Sequence, residues 1–243
     1  MADFVSTTFA KSIEFFGRHP RCERQKPIMA WSLYDQRGRR KYLVPKERWA
    51  FCAAALKTGG KTGSFCAVLA LCGARISEVL ALTPQRLDDG NCAINFETLK
   101  RREHGIVRAV PVPRELLDHL DRIHAYRAKQ HDPILADGRL WTWSRTTAWR
   151  RVKVVMRLAG EPEFVSKPKA LRHAFGAEAV LNQVALPLIK KWMGHAKLET
   201  TEIYTSLIGK EERVLARLTW RGAAKIFQRQ VRRRIQSDGP ARK

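Results

Sequence analysis

Six side chains, Arg75, Lys100, Lys169, Arg172, His195 and Tyr204, are of the types that a metal-free attack on a phosphodiester requires. A phenol can be the nucleophile, because the protein–phosphate ester it forms is easily reversed. Guanidinium groups grip the non-bridging phosphate oxygens in a bidentate fork and stay charged at any relevant pH. Lys and His supply the proton transfers. The set is densest in VSKPKALRHAFGAEAVLNQVALPLIKKWMGHAKLETTEIYTSL, residues 165–207, where Lys169 and Arg172 lie three positions apart and Tyr204 follows His195 by nine (204 − 195).

Helices are needed to position these groups. Ala170, Phe175, Ala179, Val180 and Leu181 recur at helical intervals, which predicts an amphipathic helix over 169–182. A shorter helix is expected over 186–193, ended by Gly194, where a left-handed residue is cheapest. His195 then projects from the following turn, with Tyr204 on the next short helical segment. Upstream, LALCGARISEVL (69–80) sets Arg75 between two apolar runs beside Gly73, with Glu78 one turn on. Lys100 ends a strand expected over 93–100, which pairs with 106–112 across a loop containing Gly105. Arg101 and Arg102 adjoin Lys100 and compete for any role at that hairpin.

The charge balance points the same way. With 46 Lys and Arg against 23 Asp and Glu, the chain carries a formal net charge of +23. A chain this basic needs a polyanionic partner, and nucleic acid is the simplest one. Hydrophobic residues make up 44% of the 243, enough for one good-sized domain plus a small appendage. The five cysteines, Cys22, Cys52, Cys66, Cys72 and Cys92, form no CxxC pair and read as reduced thiols in a cytosolic protein. Residues 1–20 lack the apolar core of a signal peptide, and no apolar run approaches the roughly 18 residues of a membrane span.

Other stretches are less informative. A short helix is expected over 6–16 and a β-hairpin around Asp35-Gln-Arg-Gly38, whose tip carries Arg37, Arg39, Arg40 and Lys41. Helices over 46–56 and 61–71 flank TGGKTG, which lacks the spacing of a phosphate-binding loop and reads as a flexible connector. A long helix is expected over 113–130. His119, His124 and His131 on or near it have no Cys or carboxylate ligands at useful spacing, so no metal site is expected. Trp141 and Trp143 read as packing under a loop. The helix over 144–158 is basic through Arg145, Arg150, Arg151, Lys153 and Arg157. With Arg101 and Arg102 it is the candidate to contact the DNA backbone or major groove.

The order Arg75, Lys100, Lys169-x-x-Arg172, His195, Tyr204, together with GARISEVLAL, ALRHAFGAEAV and WMGHAKLETTEIYTSL, resembles the tyrosine recombinases, the phage integrase family. The resemblance runs from about residue 45 to 207. It implies an α+β fold, mostly helical with a small antiparallel sheet. It also implies a site-specific recombinase that cuts double-stranded DNA through a 3′-phosphotyrosine without ATP, metal or other cofactor, in the cytoplasm. Arg75, Arg172 and His195 would contact the scissile phosphate, Lys100 would be the general acid and Tyr204 the nucleophile. The resemblance makes Glu78 the residue that orients Arg75, and His173, common at that place in the family, reads as structural or as a support for the residues that touch the phosphate. Lys169 stands where the family carries His, which leaves the acceptor of the Tyr204 proton open, since an ammonium is a poor base unless burial lowers its pKa. The expected organisation is an N-terminal extension (1–45) too short for the family's usual DNA-clamping domain, a catalytic domain (46–208), and a C-terminal helix with a basic tail (209–243). A homodimer or homotetramer on DNA, aided by a DNA-bending protein, would follow. A topoisomerase-like relaxing enzyme and a non-catalytic DNA-binding accessory protein are the alternative readings.

Overall fold

The computed structural model describes residues 32–98, 105–205, 213, 216 and 217. The expected helix over 6–16 lies outside them, as do Lys100, Arg101, Arg102 and nearly all of the C-terminal segment. Of the expected C-terminal helix, Arg213, Ala216 and Arg217 are described, and all three are helical. The described residues from Leu33 onward belong to one compact unit.

Helix α1 (Pro45–Thr58) starts at a proline, which has no N–H to leave unpaired there. Glu47 reaches back to accept from the Val44 N–H at 2.9 Å. Gly59 (φ 67°) ends α1, and α2 (Gly60–Cys72) begins at the next residue. The expected flexible connector is therefore a single glycine, and Gly60 to Gly63 form the first turn of α2. A Cβ at Gly63 would collide with the Ala55 carbonyl, so its smallness lets the two helices approach closely. Trp141 closes that end, donating from Nε1 to the Lys61 carbonyl (2.9 Å) and packing edge-on against Phe65.

Gly73 turns the chain with φ 59°, and α3 (Ile76–Leu80) follows. A three-stranded antiparallel sheet comes next: β1 (Leu87–Asp88), β2 (Ala93–Glu97) and β3 (Val107–Pro111), in the order β1-β2-β3. Asn95 pairs with Ala109 and Phe96 with Arg108. The long helix expected over 113–130 is broken. α4 (Arg114–His124) stops at Ala125, which is left-handed at φ 48°, and α5 (Tyr126–Lys129) restarts on a new axis. The break buries Tyr126, whose hydroxyl donates to Asp89 at 2.9 Å. Arg127 pairs with both Asp89 and Asp118. After α6 (Pro133–Ala136), the basic helix α7 (Arg145–Leu158) is capped by the Ser144 hydroxyl.

The last elements are α8 (Pro168–Leu181), α9 (Leu186–Met193), α10 (Glu199–Glu202) and a 3-10 turn, Ile203–Thr205. They match the expected helices within a residue or two. The hairpin expected near Asp35 reduces to a turn with one bridge pair, Tyr34–Arg40. Asp35 bonds the Arg37 and Arg39 amides there, which favours a tight loop over longer strands.

Two apolar clusters result. The larger is built from α1, α2, α4, α7, the sheet and the near face of α8. The smaller gathers Leu33, Tyr42, Ala177, Ala179, Ile189, Met193 and Tyr204. A buried ion pair, Arg48 to Glu178 at 2.8 Å, ties α1 to α8. The described cysteines Cys52, Cys66, Cys72 and Cys92 are all free. Among the described residues no helix is long and apolar enough to cross a membrane.

Candidate active site

The site forms where the α2–α3 corner, the N-terminal half of α8, and the α9–α10 segment meet. Arg75 is the N-cap of α3. Its Nη1 donates to Glu78 Oε1 at 2.6 Å and its backbone N–H to Oε2 at 2.8 Å, so one carboxylate fixes both the side chain and its backbone. That carboxylate is fully buried and takes a second guanidinium, Arg108 Nη2, at 2.6 Å. Burial alone would raise the Glu78 carboxyl, but Arg108 and Arg75 outweigh it and hold it below its ordinary value.

Arg108 is a member of this site that sequence reasoning missed. It also donates from Nε to the Trp192 carbonyl (2.8 Å) and from Nη1 to Thr98 Oγ1 (3.2 Å), pinning β3 to the end of α9. The available signal was parity: Arg108 shares its strand face with Val110 and Val112, both buried. An Arg at an inward position needs a partner.

Arg172 lies on α8, where the predicted helix placed it. Nη1 donates to the Gly73 carbonyl at 2.7 Å and Nη2 to the Met193 carbonyl at 2.6 Å. The two acceptors belong to the C-cap of α2 and the end of α9, so the planar fork is clamped between two elements. Burial, with Arg75 nearby, brings its pKa down to about 10, and the group remains cationic at neutral pH. Gly194, left-handed at φ 64°, passes so close to Arg108 that a Cβ would sit 2.9 Å from Nη1. A glycine is required there twice over.

His195 follows that glycine and is buried. Its Nδ1 bonds Thr201 Oγ1 at 2.9 Å, another contact the sequence did not reveal. The ring lies parallel to that of Tyr204 (interplanar angle 9°), with centroids 6.4 Å apart. Burial and then the charges of Arg172 and Arg75 push its pKa down to about 3, so it is neutral at physiological pH.

Tyr204 sits in the 3-10 turn, 1% exposed. Its ring lies over Gly176, where a Cβ would fall 2.6 Å from Cε2. Its hydroxyl bonds His173 Nδ1 at 3.2 Å. Burial raises the phenol pKa, while Arg172 and Arg75 pull it the other way.

Arg75, Arg172, His195 and Tyr204 are therefore brought together. Lys169 is exposed on the first turn of α8, one turn before His173, and its charge helps to lower the His173 pKa. On α7, Arg145 and Arg150 are exposed to solvent. Arg151, also exposed, bonds Thr62 (2.9 Å) and lies over the Trp143 ring, while Lys153 pairs with Glu163 at 2.6 Å. Chemically, the site can hold an anion between two fixed guanidinium groups beside a neutral imidazole and a phenol.

Comparison with known proteins bears on the family and the fold. Residues 44–210 match the model of the phage integrase family. The chain is 31% identical over 144 residues to tyrosine recombinase XerC of Agrobacterium fabrum, covering 58% of this chain and 45% of that one. The match to tyrosine recombinase XerA of Pyrococcus furiosus is 29%, covering 57% and 47%. The chain thus spans about half the length of the curated relatives it matches. In three dimensions it resembles the crystal structure of XerA recombinase, with a TM-score of 0.62 at 24% identity over 73% of this chain and 64% of that one.

Proposed function

The chain belongs to the phage integrase family, and from that premise we propose that it is a site-specific DNA recombinase that cuts and rejoins strands through a 3′-phosphotyrosine on Tyr204. The observation that carries this reading is the convergence of Arg75, Arg172, His195 and Tyr204, with Arg172 clamped between the Gly73 and Met193 carbonyls. In this mechanism Arg75 and Arg172 grip the non-bridging oxygens of the scissile phosphate. Both are preorganised, so little reorganisation accompanies the build-up of charge in the transition state. Neutral His195, oriented through Thr201, donates a hydrogen bond to the same phosphate. The Tyr204 oxygen attacks phosphorus, and the bond to the 5′-oxygen breaks. Lys100, assigned from the family order, gives that oxygen its proton.

The ester on Tyr204 conserves the energy of the broken bond, so a 5′-hydroxyl can reverse the step without ATP. The guanidinium groups supply the charge stabilisation that a divalent cation provides elsewhere. Double-stranded DNA is the substrate, and the exposed Arg145 and Arg150 of α7 face solvent where a phosphate backbone can reach them. Tyr204 is almost wholly buried, so a phosphate reaches its oxygen only after residues that cover it give way.

The test is covalent trapping on a nicked suicide substrate carrying the cognate site, identified by selection from random duplexes. Native protein should accumulate a denaturant-resistant adduct that Tyr204→Phe does not form, while the variant binds the same DNA. Adduct formation by Tyr204→Phe at the native level would remove Tyr204 from the mechanism.

A further inference from the structure

We propose that His173 is the group that takes the proton from Tyr204 when the phenol attacks phosphorus. The inference rests on the phosphotyrosine reading above and assigns a step that reading leaves open. Three observations carry it. His173 Nδ1 lies 3.2 Å from the Tyr204 hydroxyl, and both side chains are buried. The family's usual His position is Lys169 in this chain, an exposed residue on the first turn of α8. Finally, His173 Nε2 is buried with no hydrogen-bond partner among the described residues. A buried polar atom left unpaired costs about 1–3 kcal/mol. A residue present only to fill space at this point would be more stable as an apolar side chain, so the imidazole is retained for what its nitrogens do.

The step balances as follows. The Tyr204 O–H proton passes to the lone pair of His173 Nδ1, giving an imidazolium that carries its other hydrogen on Nε2. The phenolate oxygen forms the bond to phosphorus, the bond from phosphorus to the 5′-oxygen breaks, and Lys100 protonates that oxygen. On rejoining, the incoming 5′-hydroxyl returns a proton to Lys100, and the departing Tyr204 oxygen recovers its own from His173.

The charges around His173 make the step conditional on DNA. Burial, and then Lys169 and Arg172 on its own helix with Lys41 from the segment before α1, push its pKa down to about 3. In free protein the imidazole is therefore a weak base and Tyr204 stays protonated and unreactive. A phosphodiester between Arg75 and Arg172 brings a negative charge that offsets those cations and restores basicity to His173. Nucleophile activation is thereby tied to an occupied phosphate site.

The test uses the full chain with His173→Asn. The Asn amide oxygen can take the place of Nδ1 and accept from Tyr204, but it cannot take a proton. Single-turnover adduct formation on the suicide substrate is followed across neutral and alkaline pH, with native tyrosine or a more acidic fluorinated tyrosine at position 204. The expected result is about a 100-fold slower reaction for His173→Asn at neutral pH. Its rate should climb with pH, and the fluorinated phenol should restore roughly tenfold or more of the loss. A rate within about threefold of native at every pH, or no recovery with the fluorinated phenol, overturns the proposal.

If His173→Asn no longer binds DNA, the native chain decides alone. With His173 as acceptor, the pH of half-maximal rate stays fixed when the phenol is made more acidic. A shift to lower pH means that the phenol titrates directly, and the proposal fails. Tyr204→Phe run alongside separates the two levels. If it abolishes the adduct while His173→Asn matches native, only the role of His173 is lost. If it retains the adduct, the phosphotyrosine reading itself is wrong.

Discussion

Arg75 and Tyr204 address the same site from walls of different construction. The arginine wall is polar and tied to the large apolar cluster: Arg75 and Arg108 share the buried Glu78 carboxylate, and Arg172 spans two helix ends. The tyrosine wall is packed against the small cluster, where Tyr204 rests on Gly176 and is held by one hydrogen bond to His173. The wall that must present fixed charge to a phosphate is cross-linked before any ligand arrives. The wall that must deliver a nucleophile is held mainly by packing, and its hydrogen bond to His173 is the one along which the phenol proton leaves.

The largest expected effect comes from breaking the arginine wall. Glu78→Ala would leave Arg108 buried without its carboxylate, and removing one partner of a buried ion pair costs about 3–5 kcal/mol. Urea unfolding should register that loss as a lower midpoint. A loss below about 1 kcal/mol would mean that the wall does not depend on its shared carboxylate, and the contrast between the walls would disappear.

Gly176→Ala attacks the other wall without touching the first. Ala is favourable in a helix interior, so α8 itself gains. Its methyl group, however, would occupy the space of the Tyr204 ring and force the phenol to move. A displacement of about 1 Å at a reacting group can reduce the rate about 100-fold. Adduct formation should fall by that order while DNA binding persists and the unfolding midpoint drops less than in Glu78→Ala. An unchanged rate would place the reactive geometry of Tyr204 elsewhere.

The two walls also differed in how far the sequence exposed them. Helices α8 and α9 and the Gly194 cap were legible because their signals are local: apolar periodicity, a proline in the first turn, and a glycine at the left-handed position. Arg172, His195 and Tyr204 followed from those elements. Arg108 was not legible as a site residue because its partner, Glu78, is thirty positions upstream in another element (108 − 78). The helix break at Ala125 was missed for the same reason. No Gly or Pro marks it, and the strain of a left-handed Ala is offset by Tyr126 and Arg127 reaching Asp89, far away in sequence. The glycines of GGKTG misled in the other direction. Gly63 is helical, and its smallness serves the contact with Ala55.

Acid titration sharpens the comparison with a smaller effect per step. His173 and His195 in the tyrosine wall have pKa values pushed down to about 3 by burial, against an ordinary value of 6.5. Below pH 6.5 the unfolded chain binds a proton at each while the folded chain does not. Stability is therefore lost as pH falls from 6.5 toward 3, at about 1.4 kcal/mol per pH unit for each histidine. Glu78 behaves differently. Its carboxyl is held below the ordinary value of 4.5, so its contribution is intact above 4.5 and is lost only as pH falls further. The window from pH 6.5 to 4.5 thus reports on the tyrosine wall and not on Glu78. Three described groups elsewhere act in the same window, and one of them, His119, is held below its ordinary value by burial and adds a loss as pH falls. His124, pushed down to about 4 by burial, adds a similar loss from the large core, and Glu161, raised to about 7 by burial, favours the fold as pH falls from 7 to 4.5. Single variants isolate the contrast from that background. In urea unfolding at pH 6.5, 5.5 and 4.5, His195→Gln should flatten the stability profile by about 1.4 kcal/mol per pH unit. Glu78→Gln should lower stability throughout and leave the slope unchanged. Equal flattening by both would show that the two walls titrate as one unit, and the division between a fixed phosphate grip and a releasable nucleophile would have to be given up.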